Sequence, residues 1–241
     1  MGKPEVRRRG DAEETRRRVL DAAVATVVDV GYYKASSNEI ARRAGVTWGS
    51  IQHLFGSREQ LMLDVVNDLG AQLERQISDG LVEGDTLEER LRAVLDVLAT
   101  HYERATYLVQ VQILLDLSAN PKMSEPRRLA LRSQNGKAFD SLARPLFAKA
   151  LGDLADESDL VLYAFMTMRG YLMSCGITRL IAELPEGAVF RLMLTDPGGP
   201  TDDSTIRDLL VRGVGATLRE EAARRGYTID DVAAAAVPAD R

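Results

Sequence analysis

Between Ser36 and Phe55 the chain reads SSNEIARRAGVTWGSIQHLF, in which hydrogen-bonding side chains alternate with apolar ones at helical spacing. Ser36 and Glu39 form an S-x-x-E capping box, the start signal of a short helix. Gly45 ends that helix, because a glycine accepts the positive φ that so tight a turn requires. Thr47 caps a second short helix that reaches Phe55, and Gly56 stops it. Two short helices joined by Ala44-Gly45-Val46-Thr47 have the spacing of a helix-turn-helix. At about 100° per residue, Ile51, Leu54 and Phe55 point inward. Gly49 and His53 then point outward, flanked by Ser50 and Gln52.

That outer face suits reading rather than reacting. Gly49 lets the backbone come close to a groove, Gln52 matches the paired donor and acceptor of adenine, and Ser50 pairs with several bases. His53 can donate to a phosphate oxygen. Enzyme readings find little support, so no catalytic residue, metal or cofactor is expected. The two histidines, His53 and His101, fall on different helices, and the chain has no nucleophile elbow, P-loop, dinucleotide fingerprint or H-E-x-x-H motif. The one cysteine, Cys175, excludes an intrachain disulfide and lies in an apolar helix, where a thiol is ordinarily inert.

The elements that must position this face are helical throughout, so the expected fold class is all-α. Residues 1–10 (MGKPEVRRRG) read as a disordered basic arm. A helix from Asp11 to Val30 follows, with Val19, Leu20, Ala23, Val27 and Val30 inward. Ser57 and Gln60 open a long helix with Leu61, Met62, Val65, Val66, Leu69, Leu73 and Ile77 in register. Further helices are expected at Thr86–Glu103, Thr106–Ala119 and Glu125–Leu151, the last kinked or broken at Pro145. Glu157–Glu183, apolar on most faces, reads as a buried helix. A loop over 184–203, with a short helix at Val189–Leu194, leads to a last helix at Ser204–Arg225.

Composition bounds the reading. The 241 residues are 45% hydrophobic and 28% charged, as in ordinary globular chains. Net charge is −5, yet residues 1–60 carry 11 Lys/Arg against 8 Asp/Glu, so a polyanion partner is expected at that end. Met1–Arg9 has no apolar run, so no signal peptide is visible, and a cytoplasmic location is expected. Arg169 and Arg179 interrupt the most apolar stretch, Leu160–Leu184, so no membrane association is expected.

From Thr15 to Val66, roughly a fifth of the chain, the sequence resembles the amino-terminal domain of the TetR (tetracycline-repressor) family: TRRRVLDAAVATVVDVGYYKASSNEIARRAGVTWGSIQHLFGSREQLMLDVV. The resemblance implies an amino-terminal three-helix DNA-binding domain (11–56) and a larger helical effector-binding and dimerisation domain (57–241). It implies a homodimer on a palindromic double-stranded operator, released by a small effector. Ser36, Ser37, Thr47, Trp48, Gly49, Ser50, Gln52, His53 and Arg58 are the expected DNA-facing residues. Arg58 matches a lysine that the family usually places on phosphate, and a cation opposing a helix dipole otherwise lacks a reason. Gln52 stands where the family usually has tyrosine. Trp48 stands where it often has a polar residue; it either packs against sugar and phosphate or folds back onto the hydrophobic edge. Arg42 and Arg43 read as solvent-facing.

Effector candidates are polar or adaptable residues within apolar helices: His101, Tyr107, Gln110, Tyr163, Met166, Arg169 and Met173, with Tyr171 and Cys175 as further members. Arg169 is the sharpest, because a charge between apolar turns needs a partner, either a protein carboxylate or an anionic ligand group. The expected effector is bulky and hydrophobic. Helices 157–183 and 204–225 are expected to pair two subunits, and the long helix after Ser57 to couple effector and DNA. The resulting expectation is a ligand-responsive repressor; a transcriptional activator and a helical module without DNA function are the alternatives.

Overall fold

The structure, a computed structural model, describes residues 4–120, 139–183 and 203–229. The expected helix at Val189–Leu194, the start of the helix expected from Glu125 and nearly all of the carboxy-terminal tail lie outside them. Nine α-helices and no strand occur among the described residues. They are α1 (Pro4–Val30), α2 (Ser37–Ala44), α3 (Trp48–Phe55), α4 (Arg58–Asp79), α5 (Leu87–Tyr102), α6 (Ala105–Ala119), α7 (Arg144–Leu151), α8 (Ser158–Glu183) and α9 (Asp203–Arg224).

Two expectations need correcting at the start of the chain. The residues from Pro4 are not a disordered arm but the first turns of α1. Proline suits the first position of a helix, and the Arg and Glu residues that follow are good helix formers. Val30, expected inside, is 38% exposed at the end of α1, where Gly31 (φ 79°) turns the chain away.

The chain divides into two compact units, one of Met1–Gln72 with Ala105–Leu131, the other of Leu73–Arg104 with Arg132–Arg241. The first therefore runs past residue 56, down α4, and takes in α6. Its core joins Val19, Ala23 and Val27 of α1, Ile40 and Ala44 of α2, Ile51 and Phe55 of α3, Leu61, Met62 and Val65 of α4, and Val109, Ile113 and Leu117 of α6. Each of the larger of these side chains, fully buried, contributes roughly 1.5–3 kcal/mol. That is the force holding an eight-residue helix such as α3, which would not persist alone.

The second unit is built on α5, α7, α8 and α9, with Leu91, Leu95, Leu98, Leu146, Phe147, Met168, Leu172 and Leu218 in its core. Thr86 and Glu89 form a reciprocal capping box on α5. Pro145 marks the break expected of it: a π-helical turn, Phe139–Ala143, gives way to α7 with proline in its first turn. Lys149 Nζ donates to the carbonyls of Ile77 (3.2 Å), Ser78 (3.1 Å) and Gly80 (2.8 Å), capping the carboxy-terminal end of α4. The buried Arg90 donates to the carbonyls of Ala150 (2.9 Å) and Gly84 (3.2 Å). Ion pairs tie α5 to α9, Glu88 to Arg219 and Arg92 to Asp208.

The expectation that Glu157–Glu183 is buried on most faces does not hold for the single chain. Ser158–Thr178 has a mean hydropathy of 1.3, long and apolar enough to cross a membrane by length and composition, yet only a third of it is buried. Leu162, Tyr163, Met166 and Ile177 of α8 and Leu209 of α9 are exposed.

Candidate nucleic-acid interface

Three local devices present α3. Gly45 closes α2 in the left-handed conformation (φ 67°, ψ 33°). Its amide donates to Arg42 O (3.3 Å) and that of Val46 to Ala41 O (3.0 Å), a Schellman pair. Thr47, extended at φ −87° and ψ 158°, then caps α3 by accepting from Ser50 N at 3.1 Å. Ile51 and Phe55 anchor the inner side of the helix in the core.

What this leaves outside is an open groove of about 580 Å³, lined by Asp11, Ala12 and Thr15 of α1 and by Thr47, Gly49, Ser50, His53 and Leu54. Four of the nine expected DNA-facing residues thus converge: Thr47, Gly49, Ser50 and His53. Gln52 is exposed on the adjoining face of α3. The hydroxyls of Thr47 and Ser50 are 2.9 Å apart, so each presents a partly committed group to the groove. The α1 contribution was missed in the sequence, because the segment before Asp11 reads as an arm; the signal was the helical run that continues through Pro4–Asp11.

Other expected residues sit differently. Ser36 caps α2, its hydroxyl accepting from Glu39 N at 3.2 Å; Ser37 begins that helix, and neither lines the groove. The capping box is half formed, because the Glu39 carboxylate turns to Arg42 (2.6 and 2.9 Å) and Arg43 (2.8 Å). Those bonds hold Glu39 at about 2, below the usual carboxylate range. Arg43 also pairs with Asp29, so both arginines are committed to carboxylates, Arg42 on the exposed side and Arg43 part-buried. Trp48 is partly buried against the core, which favours packing onto the hydrophobic edge in the DNA-free chain.

Arg58 requires a correction. Its guanidinium donates to Tyr32 Oη (3.1 Å), Tyr32 O (3.0 Å) and Ala35 O (3.4 Å), and its carbon lies 4.5 Å from the Tyr32 ring centroid. The cation at the start of α4 therefore has a structural reason: it staples the α1–α2 turn. Tyr32 N in turn donates to Gln112 Oε1 of α6 at 3.3 Å. Burial, then a hydrogen bond to Asp116 of α6, push the Tyr32 phenol above its ordinary value. Asn120 Nδ2, just past α6, donates to Glu59 Oε1 at 2.9 Å. Arg16 likewise faces inward, paired with Asp64 at 2.7 Å and 4.7 Å from the Phe55 ring centroid.

The effector candidates do not form one cluster. Tyr107 and Gln110 of α6 belong to the first unit; His101, Tyr163, Met166, Arg169 and Met173 belong to the second. Tyr163 and Met166 lie on the exposed face of α8, where the Tyr163 hydroxyl is 3.2 Å from Thr217 Oγ1 of α9. Met173 is half-buried. His101 is buried, and desolvation, then Arg104 and Arg169, bring its imidazole down to about 4. Arg169 faces the rings of Tyr102 and Phe165. No group of His, Cys, Asp and Glu fit to hold a metal ion occurs among the described residues.

Against known proteins, residues 19–65 match the family described as bacterial regulatory proteins, tetR family. The HTH-type transcriptional regulator BetI of Agrobacterium fabrum is 33% identical over 82 residues, 34% of this chain and 40% of that protein. The chain thus spans less than half the length of the curated relatives it matches. In fold it is similar to the crystal structure of a transcriptional regulator from Streptomyces coelicolor A3(2) (TM-score 0.54, 20% identity, 85% of this chain and 98% of that one). A Rhodococcus transcriptional regulator aligns with the same TM-score at 15% identity, over 86% of this chain and 96% of that one.

Proposed function

We propose that this chain, a member of the TetR family of bacterial regulatory proteins by its amino-terminal domain, is a homodimeric repressor released from a palindromic operator by a small effector. The observation that carries the reading is the groove beside α3, with Gly49, Ser50 and His53 turned out from a helix anchored by Ile51 and Phe55. In this reading α3 lies in the major groove; Gln52 and Ser50 read bases, while Thr47 and His53 hold sugar and phosphate. Arg58 acts from behind, by fixing the α1–α2 turn.

The exposed row Leu162, Tyr163, Met166 and Ile177 on α8, with Leu209 on α9, supports pairing with a second copy through these helices. Beside Met166 and Leu209, Gly170 and Gly213 have open space around them, which lets helix backbones approach. A dimer would hold its two α3 helices at one separation, about 34–36 Å for half-sites one turn apart. An effector that favours another separation weakens DNA binding, and DNA weakens effector binding by the same factor. α4 remains the expected lever. The bonds of Gln112 and Asp116 to Tyr32 support α6 as a second one, since moving α6 would loosen the turn that presents α2 and α3.

The test is selection of genomic fragments by the purified chain at about 0.1 M salt, with the fluorescence of Trp48, the single tryptophan, as a second readout. Enrichment of one short palindrome and a steep loss of affinity with salt are expected. Affinity no better than for random sequence, in chain freed of ligand by denaturation and refolding, would overturn the reading. A reporter placed behind the palindrome separates repression from activation.

A further inference from the structure

We infer that the second unit holds an anchoring site for the carboxylate of an amphiphilic acid, with Arg169 of α8 as its cation. This deepens the regulator reading above, on which its effector role rests, by naming the chemical class of the effector.

Several arginines of this unit are satisfied by protein acceptors. Arg90 ends on two carbonyls, and Arg92, Arg207, Arg219 and Arg225 each end on a carboxylate. Arg169 does neither. It sits in the middle of α8, a long apolar helix, and its Nε is buried without an acceptor. Its guanidinium carbon lies 5.7 Å from the Tyr102 ring centroid and 6.0 Å from that of Phe165. Of the two answers open from the sequence, no protein carboxylate pairs with Arg169 among the described residues, and the anionic ligand is the one we pursue. Aromatic faces offset part of the cost of burying a cation, but they accept no hydrogen bond from Nε.

The surroundings add positive charge. The Arg104 and Arg169 charges both act on the buried His101 and, with burial, keep it neutral. A half-buried guanidinium beside two aromatic rings suits a planar monoanion with an apolar body. A phosphate would call for more donors than one guanidinium supplies.

The experiment is calorimetric titration and thermal melting of the full chain with decanoate, and with decanol as the uncharged control. Decanoate is expected to bind and raise the melting temperature, and decanol to bind at least tenfold more weakly. Arg169→Met should weaken decanoate at least tenfold while leaving ligand-free melting unchanged or higher, since it removes a half-buried cation whose Nε lacks an acceptor. Arg169→Lys, which keeps the charge and guards against misfolding of the first variant, should fall between the two. If decanoate fails to bind, binds no better than decanol, or binds Arg169→Met as tightly as the parent, the inference is overturned and Arg169 is a packing element. None of these readouts involves DNA. Loss of the palindrome in the fragment selection would overturn the regulator reading with the anion site intact, and the reverse result would do the opposite.

Discussion

α3 and α8 each leave one surface largely exposed in the single chain, and the two surfaces are chemically opposite. α3 turns out a glycine, a serine, a glutamine and a histidine; α8 turns out leucine, tyrosine, methionine and isoleucine. Both helices are anchored on their other side, by Ile51 and Phe55 in one case and by Val161, Met168 and Leu172 in the other. The polar surface suits a partner that offers donors and acceptors at fixed spacing, as base edges do. The apolar one suits a partner that excludes water, as a second helix pair does. What a fold leaves unsatisfied therefore describes what it meets. The arginines repeat the lesson: those around the helix-turn-helix are spent on Asp64, Glu39, Asp29 and the Tyr32 turn, whereas Arg169 lacks an acceptor for Nε.

The largest effect expected is on the apolar surface. Met166→Asp combined with Leu209→Asp places charges on side chains that are 51% and 57% exposed in the single chain, so the fold should survive. Sedimentation should turn from dimer to monomer, and operator affinity should fall roughly 10²–10⁴-fold as bivalent binding is lost. A dimer that persists in the double variant would place the interface elsewhere and break the comparison at its apolar end.

Next is acid stability, which reports on the second unit. His101 titrates near 6.5 in an unfolded chain and at about 4 here, because burial, then Arg104 and Arg169, disfavour the imidazolium. Its folded value is depressed, so its contribution is fully present above about 6.5 and is lost as pH falls toward 4, where the unfolded chain takes up a proton that the folded chain refuses. That gap is worth on the order of 3 kcal/mol. Urea denaturation of the parent and of His101→Gln between pH 7 and pH 4 should diverge across this window, with the variant losing less. Parallel curves would mean that His101 is protonated in the fold and the site less positive than described.

The two surfaces also differ in how far the sequence discloses them. The helix-turn-helix is legible because its signals are local: caps at Ser36 and Thr47, a turn glycine at Gly45, and apolar residues in register within twenty positions. Arg58 is misread for a non-local reason. Its partner Tyr32 is 26 residues away, and neither residue type betrays the pairing. The start of α1 is misread because a run of arginines suggests a solvated tail as readily as a helix. In the second unit helix positions are legible, but which candidate faces inward is not. Nearly every face of α8 is apolar, so periodicity cannot separate Met166 (51% exposed) from Met168 (buried). The sequence raises the question of a partner for Arg169, and only packing answers it.

A smaller effect sharpens the polar end. If Gln52 reads a base as proposed, Gln52→Ala should cost about 1–3 kcal/mol on the operator while scarcely changing affinity for random DNA. Binding to a set of operators mutated one base pair at a time should show relaxed preference at one position of each half-site. A uniform loss across all of them would make Gln52 a backbone contact.

The smallest effect concerns Asp11, the acidic side chain among the described residues that line the groove beside α3. A carboxylate there opposes the phosphates in any pose that brings α3 to the major groove. A unit charge about 8 Å away in water is worth about 0.5 kcal/mol, so Asp11→Asn should tighten binding about twofold to operator and random DNA alike. The gain should fade as salt rises toward about 1 M, where the screening length shrinks to about 3 Å. The opposite result carries equal information. If Asp11→Asn weakens the operator alone and leaves random DNA unchanged, the carboxylate accepts from a cytosine amino group. α1 would then share base reading with α3, and the polar surface would belong to two helices rather than one.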